Sequence, residues 1–254
     1  MFVLALIACS NDYLVVDAAD TGEADVVDDG ISEETWDGAT LQILSPQSGE
    51  FIPWEQGGHF EAQIVDAEGE PLPFEDIAWE STEGGWTGAG LSFDADDLEV
   101  GKQDFTALAH LPNGDRLRYT VGGVLVQSEY AGTYAGTMRV DVAMDAYTVA
   151  CAGASALVID PYGEAVLGDA SCLLSFQGFD LDGVFSLDAE NDVGDVAGDI
   201  SIEIYGFEIP MTLEGEVSSD GEFFAEFEGD AYGYGSFAGE LDLVRVSRDT
   251  SYGE

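Results

Sequence analysis

Positive charge is what this sequence has least of. Its 254 residues hold six Lys and Arg against 52 Asp and Glu, a formal net charge of -46. Lys102 is the only lysine. Such a surface repels phosphates and anionic lipid headgroups, which excludes nucleic acid as a partner and makes an anionic membrane surface a poor one. It favours solubility in salt, and it favours cations or basic partners. The simplest source of such acidity is a saline, marine or halophilic setting, where added salt screens the repulsion between carboxylates.

Histidine is nearly as scarce. His59 and His110 are the only two, and each falls on the parity opposite to the apolar residues of its strand, so both are expected to face solvent. A serine, cysteine or metal hydrolase needs a positioned histidine, and neither one lies in a motif. G-x-S-x-G, H-E-x-x-H, the phosphate-binding loop and the dinucleotide glycine fingerprint are all missing. A glycosidase needs two carboxylates about 5–10 Å apart in a cleft. With 52 acidic residues chance supplies such pairs, and no aromatic-lined groove singles one out. An enzyme is therefore not expected, and a carbohydrate-active one is kept only as an alternative. No apolar segment reaches the roughly 18–20 residues that span a bilayer as a helix, and no capped run of helical period is visible.

What is present begins with Met1 to Ala8, a short apolar run closed by Leu6-Ile7-Ala8-Cys9 and followed at once by acidic chain. That spacing resembles the lipobox of bacterial lipoproteins, which implies lipidation at Cys9, export, and attachment to the cell envelope, at the outer membrane or cell surface. No Lys or Arg precedes the run, so a start further upstream is expected. Ser10 rather than Asp follows the cysteine, which by the same resemblance argues against retention at an inner membrane. The cysteine count agrees. Of three cysteines, lipidation of Cys9 leaves Cys151 and Cys172 as a pair for an oxidising compartment. Their bridge would close a loop of about twenty residues, worth roughly 3 kcal/mol in the chain-entropy model. The enclosed Asp160-Pro161-Tyr162-Gly163 turn predicts the hairpin that brings them together.

Residues 10–39 carry many carboxylates and no basic residue, and read as a disordered acidic tether reaching on the order of 30 Å. From Thr40 to Gln127 short alternating runs follow one another: Leu41-x-Ile43, Phe60-x-Ala62-x-Ile64, Ile77-x-Trp79, Leu91-x-Phe93, Phe105 to Leu111, Tyr119-x-Val121 and Val124-x-Val126. Polar turns separate them, among them Asn113-Gly114, a strong hairpin signal. Such spacing predicts a β-sandwich. Ile43-x-Ser45-Pro46-x-x-Gly49, Trp79-x-Ser81 and Gly101-x-x-x-Phe105-x-Ala107 resemble the bacterial Ig-like or PKD-like domains of secreted proteins. The resemblance implies that Trp79 sits between the sheets and that the domain acts as a spacer.

Residues 128–248 are punctuated by glycine. Met138-x-Val140-x-Val142, Ile200-x-Ile202-x-Ile204, Met211-x-Leu213, Phe224 to Phe227 and Phe237 to Val246 are predicted strands. Gly183, Gly194, Gly198, Gly206, Gly215, Gly221, Gly229 and Gly239 fall between such runs, where hairpins need them. An antiparallel meander closing into a barrel or sandwich is expected, loosely similar to the β-barrels of some surface lipoproteins. Residues 249–254 read as a tail.

Two acidic clusters are candidate calcium sites, since calcium takes hard oxygen ligands in flexible loops. One is Asp188-x-Glu190-x-Asp192-x-Gly194-Asp195, the other Asp94-x-Asp96-Asp97. No other cofactor is expected. Tyr232 and Tyr234 alternate onto one face and are candidates for stacking on a sugar or peptide. The whole predicts an all-β, exported, lipid-anchored protein that displays, adheres or binds without catalysis, with a surface protein or glycan as partner. The alternative is a barrel that holds a small or hydrophobic ligand. An apolar cavity in the second domain would favour that alternative, and a filled interior would favour adhesion.

Overall fold

The computed structural model describes residues 36–82, 85–144, 147–176, 179–204, 207–230 and 235–250. Cys9, most of the acidic tether, Tyr232 and Tyr234 lie outside them. The described chain is all-β. Its first part holds nine strands: β1 Thr40–Ser45, β2 Phe51–Pro53, β3 Gly58–Val65, β4 Pro71–Leu72, β5 Ile77–Ser81, β6 Thr87–Ala89, β7 Ser92–Ala95, β8 Gly101–His110 and β9 Arg116–Gln127. They form two sheets, one of order β1-β3-β4 with β7 also on β3, the other of order β2-β9-β8-β5-β6. The expected runs all fall in or at the edge of strands, with Tyr119-x-Val121 and Val124-x-Val126 joined in the single β9, and the Asn113-Gly114 turn joins β8 to β9, with the Asn113 side chain accepting from the Asp115 amide at 3.0 Å.

Alternation aims one face of each sheet inward. Leu41, Ile43, Phe60, Ala62 and Ile64 from one sheet meet Ile77, Trp79, Phe105, Ala107, Val121 and Val124 from the other in a single core. Aromatic rings fill its centre. Phe60 is fully buried and lies 4.8–5.4 Å from the rings of Trp79, Trp86, Phe93 and Phe105. Trp79 is buried between the sheets, and its indole N–H donates to the carbonyl of Gly90 at 2.9 Å. The core also claims the end of the stretch read as tether: Trp36 and Ala39 are buried, and Trp36 packs edge-on against Phe74.

The second part is a closed antiparallel barrel in which every strand pairs with its chain neighbours: β10 Gly132–Met144, β11 Tyr147–Ile159, β12 Ala165–Phe176, β13 Phe179–Asp192, β14 Asp195–Ile204, β15 Phe207–Val217, β16 Glu222–Asp230 and β17 Ser236–Ser247. β17 returns to β10 from Thr133↔Ser247 to Ala143↔Ser236 and closes the ring. Apolar side chains point in, among them Tyr134, Met138, Leu157, Phe185, Ile200 and Phe223, each less than 2% exposed.

The glycines do something other than punctuate. Gly183, Gly198, Gly215, Gly229 and Gly239 lie within strands, not between them. With Gly136, Gly153 and Gly168 they place one glycine at an inward position of every barrel strand, by register with buried partners. An eight-stranded barrel has little interior space, and large rings fit only where a facing position has no side chain. A methyl group on Gly168 would sit 2.6 Å from the Leu157 Cβ, and one on Gly239 would enter the Phe227 ring. Of the other expected turn glycines, Gly194 and Gly221 do lie in turns, with φ of 99° and 90°, and Gly206 lies outside the described residues.

Four residues, Ser128 to Ala131, link β9 to β10, and the junction is packed. Ser128 donates its amide to the Pro161 carbonyl at 2.8 Å. The Gln127 side chain donates to the Arg248 carbonyl at 2.9 Å, and the Arg248 guanidinium lies 3.5 Å above the Phe51 ring. Burial there holds the Arg248 guanidinium below its ordinary pKa, and neighbouring Arg245 adds to the effect.

Candidate functional surface

Cys151 on β11 and Cys172 on β12 both point into the barrel and form a disulfide, with a Cα–Cα distance of 5.8 Å and a sequence separation of 21. The Asp160 side chain pins the intervening turn by accepting from the amides of Glu164 and Ala165, at 2.7 and 3.1 Å. The expected pairing and its hairpin are therefore both present.

Asp188, Glu190, Asp192 and Asp195 sit on a tight hairpin. β13 turns into β14 through Val193 and Gly194, both at positive φ, and Asp192 is paired with Asp195. All four carboxylates are exposed on the outer face. Asn191, buried between them, holds the turn: its side-chain oxygen accepts from the Gly194 amide at 3.0 Å, and its amide group donates to the Gly163 carbonyl.

The second acidic cluster is spent on neighbours. Asp94 contacts the His59 ring at 2.8 Å, and Asp97 accepts from the Trp86 indole N–H at 2.7 Å, which leaves Asp96 as an exposed side chain. Among the described residues no three His, Cys, Asp or Glu side chains converge on one point that could hold a metal ion. His59 and His110 face solvent, as their parity requires.

The barrel's outer face is where its charge lies. Register sets Glu214 opposite Glu226, and Glu226 opposite Glu240, on three successive strands. Asp188 faces Asp199 in the same way. Like charges directly opposed across a strand pair repel, and salt within the Debye length relieves them. One outer groove of about 420 Å³ runs over Thr212, Glu214, Glu226 and Glu228, and another of about 360 Å³ over Glu216, Glu222, Phe224 and Asp242. The β11 side differs: its exposed outward residues Thr148, Ala150, Ala152 and Ala154 carry no charge.

Among the described residues the barrel's buried polar side chains on inward positions include Ser155, Asn191 and, most buried of the three, Tyr134. The Tyr134 hydroxyl donates to the Tyr130 carbonyl at 2.6 Å, and Arg245 lies 5.9 Å from its ring. Burial raises its pKa above the ordinary 10.0, against the lowering effect of Arg245.

One surface escaped sequence reasoning altogether. A groove of about 670 Å³ runs between β1 and β9, past Leu44, Leu117, Arg118 and Tyr119. The available signal was Arg116-Leu117-Arg118, which places two of the chain's six basic residues side by side. The sequence matches no family model, and no curated protein and no solved structure is similar to it.

Proposed function

We propose that this chain is an exported surface protein, lipid-anchored through Cys9, that works by display, adhesion or binding and not by catalysis. The observation that carries the reading is the filled barrel. Phe185, Phe223, Phe227 and their neighbours occupy the interior, so ligand contact is left to outer surfaces, and this favours adhesion over a ligand-carrying barrel. The two-sheet first domain, with Trp79 in its core and its first strand region crossing from β3 to a parallel pairing with β9, supports the Ig-like spacer. The carboxylate-covered exterior supports a protein exposed to salt water and a partner that is a surface protein or glycan.

Intact-mass analysis of the protein from native membranes tests the anchor. A chain beginning at Cys9 with a diacyl or triacyl mass is expected. An unprocessed chain beginning at Met1 would end the proposal.

A further inference from the structure

Closed and open sheets leave different things unpaired. Among the described residues β1 pairs with β3 alone, and β9 pairs with β2 only at Leu125–Gln127, so that over Arg116–Val121 its sole strand partner is β8. The free sides of these two strands border the groove of about 670 Å³. At one end the Gly49 amide donates to the Gly122 carbonyl at 3.1 Å.

Tyr119 shows that the groove opens onto the core. It is paired with Ala107, between Leu117 and Val121, on the face of β9 that points inward. Val121 is 4% exposed there, yet Tyr119 is 47% exposed, and Leu44 across the groove is 39% exposed. Among the described residues no side chain covers this inward ring, which leaves half its surface exposed. Arg116 and Arg118 alternate with these residues along β9, and the ion pair of Arg118 is a 3.5 Å contact with Glu80 between two exposed side chains.

We propose that this groove binds an extended peptide segment of a partner protein by strand addition. Unpaired backbone groups supply main-chain hydrogen bonds, and alternate side chains of the added strand reach opposite faces. Apolar side chains cover Tyr119 and Leu44, and a carboxylate on the segment meets Arg116 and Arg118. A basic segment would instead be drawn to the carboxylates of the barrel. The inference goes beyond the anchored-display reading, in which the first domain only spaces. The two fail separately, since an unlipidated chain would still bind in the groove.

The test is a nuclear magnetic resonance titration of the isotope-labelled full chain with a ten-residue peptide alternating valine with threonine and aspartate. Saturable shifts are expected over residues 40–47 and 116–122. Only every second amide of an edge strand faces its neighbour, so N-methylation of one alternate set of peptide amides weakens binding about tenfold or more while methylation of the other set does not. Tyr119→Ala weakens binding about tenfold with an unchanged melting temperature, and Arg118→Gln weakens it about threefold. No saturable shift at millimolar peptide, equal binding by both methylated peptides, or shifts confined to the barrel would overturn the proposal. Concentration-dependent broadening of the same amides without peptide would place a second copy in the groove and overturn it equally.

Discussion

The two domains are built from the same element and dispose of its free edges in opposite ways. The barrel returns β17 to β10 and has no edge. Among the described residues the two-sheet domain ends one sheet at β1 and leaves much of β9 without a strand partner on one side. Closure has a packing cost: interior space is so short that every strand gives up an inward side chain to glycine. The open domain has room for large rings, and Phe60, Trp79, Trp86, Phe93 and Phe105 cluster there. Closure therefore leaves the barrel a charged outer wall, while the open domain carries a groove of mixed lining, with Leu44, Leu117 and Tyr119 beside Gln42, Gln47 and Arg118.

The largest differences between the two domains are expected from changes in their cores. All four tryptophans, Trp36, Trp54, Trp79 and Trp86, belong to the first domain, so indole emission follows that domain and circular dichroism follows both. Phe60→Ala should cost about 3–5 kcal/mol, the range for a buried ring, and move the denaturation midpoint seen by tryptophan emission. Replacing both Cys151 and Cys172 by serine should cost about 3 kcal/mol and lower the barrel transition while leaving that emission midpoint in place. Gly215→Val sets a side chain against Ala225, whose Cβ lies 2.5 Å from where the new Cβ would stand, and should cost about 1–3 kcal/mol by overpacking. The same change at Gly49, where nothing lies within 4 Å, meets no such overlap, although its φ of 75° brings backbone strain of its own.

Smaller effects sharpen the contrast between inside and outside. Tyr134 is held protonated above its ordinary pKa by burial. A raised folded-state value means that its stabilisation is complete below the unfolded pKa of about 10 and is lost as pH rises through the folded value. Alkaline unfolding above that pH should accordingly be less steep in Tyr134→Phe, as read by midpoints across a pH series. Smallest of all is Glu226→Gln, which removes the middle carboxylate of an opposed row. It should stabilise by about 0.2–1 kcal/mol at low salt and by nothing measurable in molar salt, where the Debye length is about 3 Å.

Much of this was legible in the sequence because alternation is a local signal. Leu41-x-Ile43, Phe60-x-Ala62-x-Ile64 and Met138-x-Val140-x-Val142 each declare a half-buried strand without reference to the rest of the chain. The disulfide was legible from a turn between two cysteines. The role of the barrel glycines was not, because a glycine inside a strand and one in a turn look alike until register shows which ring faces it, as Phe227 faces Gly239. The shape of the Asp188 to Asp195 stretch was hidden for the same reason. Its acidic spacing suits a loop, but Asn191 and the positive φ of Val193 make it a two-residue turn with its carboxylates splayed outward. The groove beside Tyr119 could not be found by parity alone, since parity predicts that ring to be buried, and its exposure follows from which neighbours β1 and β9 lack.

Amide hydrogen exchange on the full chain, resolved by residue, tests the central contrast directly. Leu241 and Leu243 of β17, at the closing seam, should be as protected as Phe185 and Leu187 in the middle of the barrel. Backbone amides along the free sides of β1 and β9 should exchange far faster. Rapid exchange along the β17–β10 seam, or uniform protection across Thr40–Ser45 and Arg116–Val121, would contradict it.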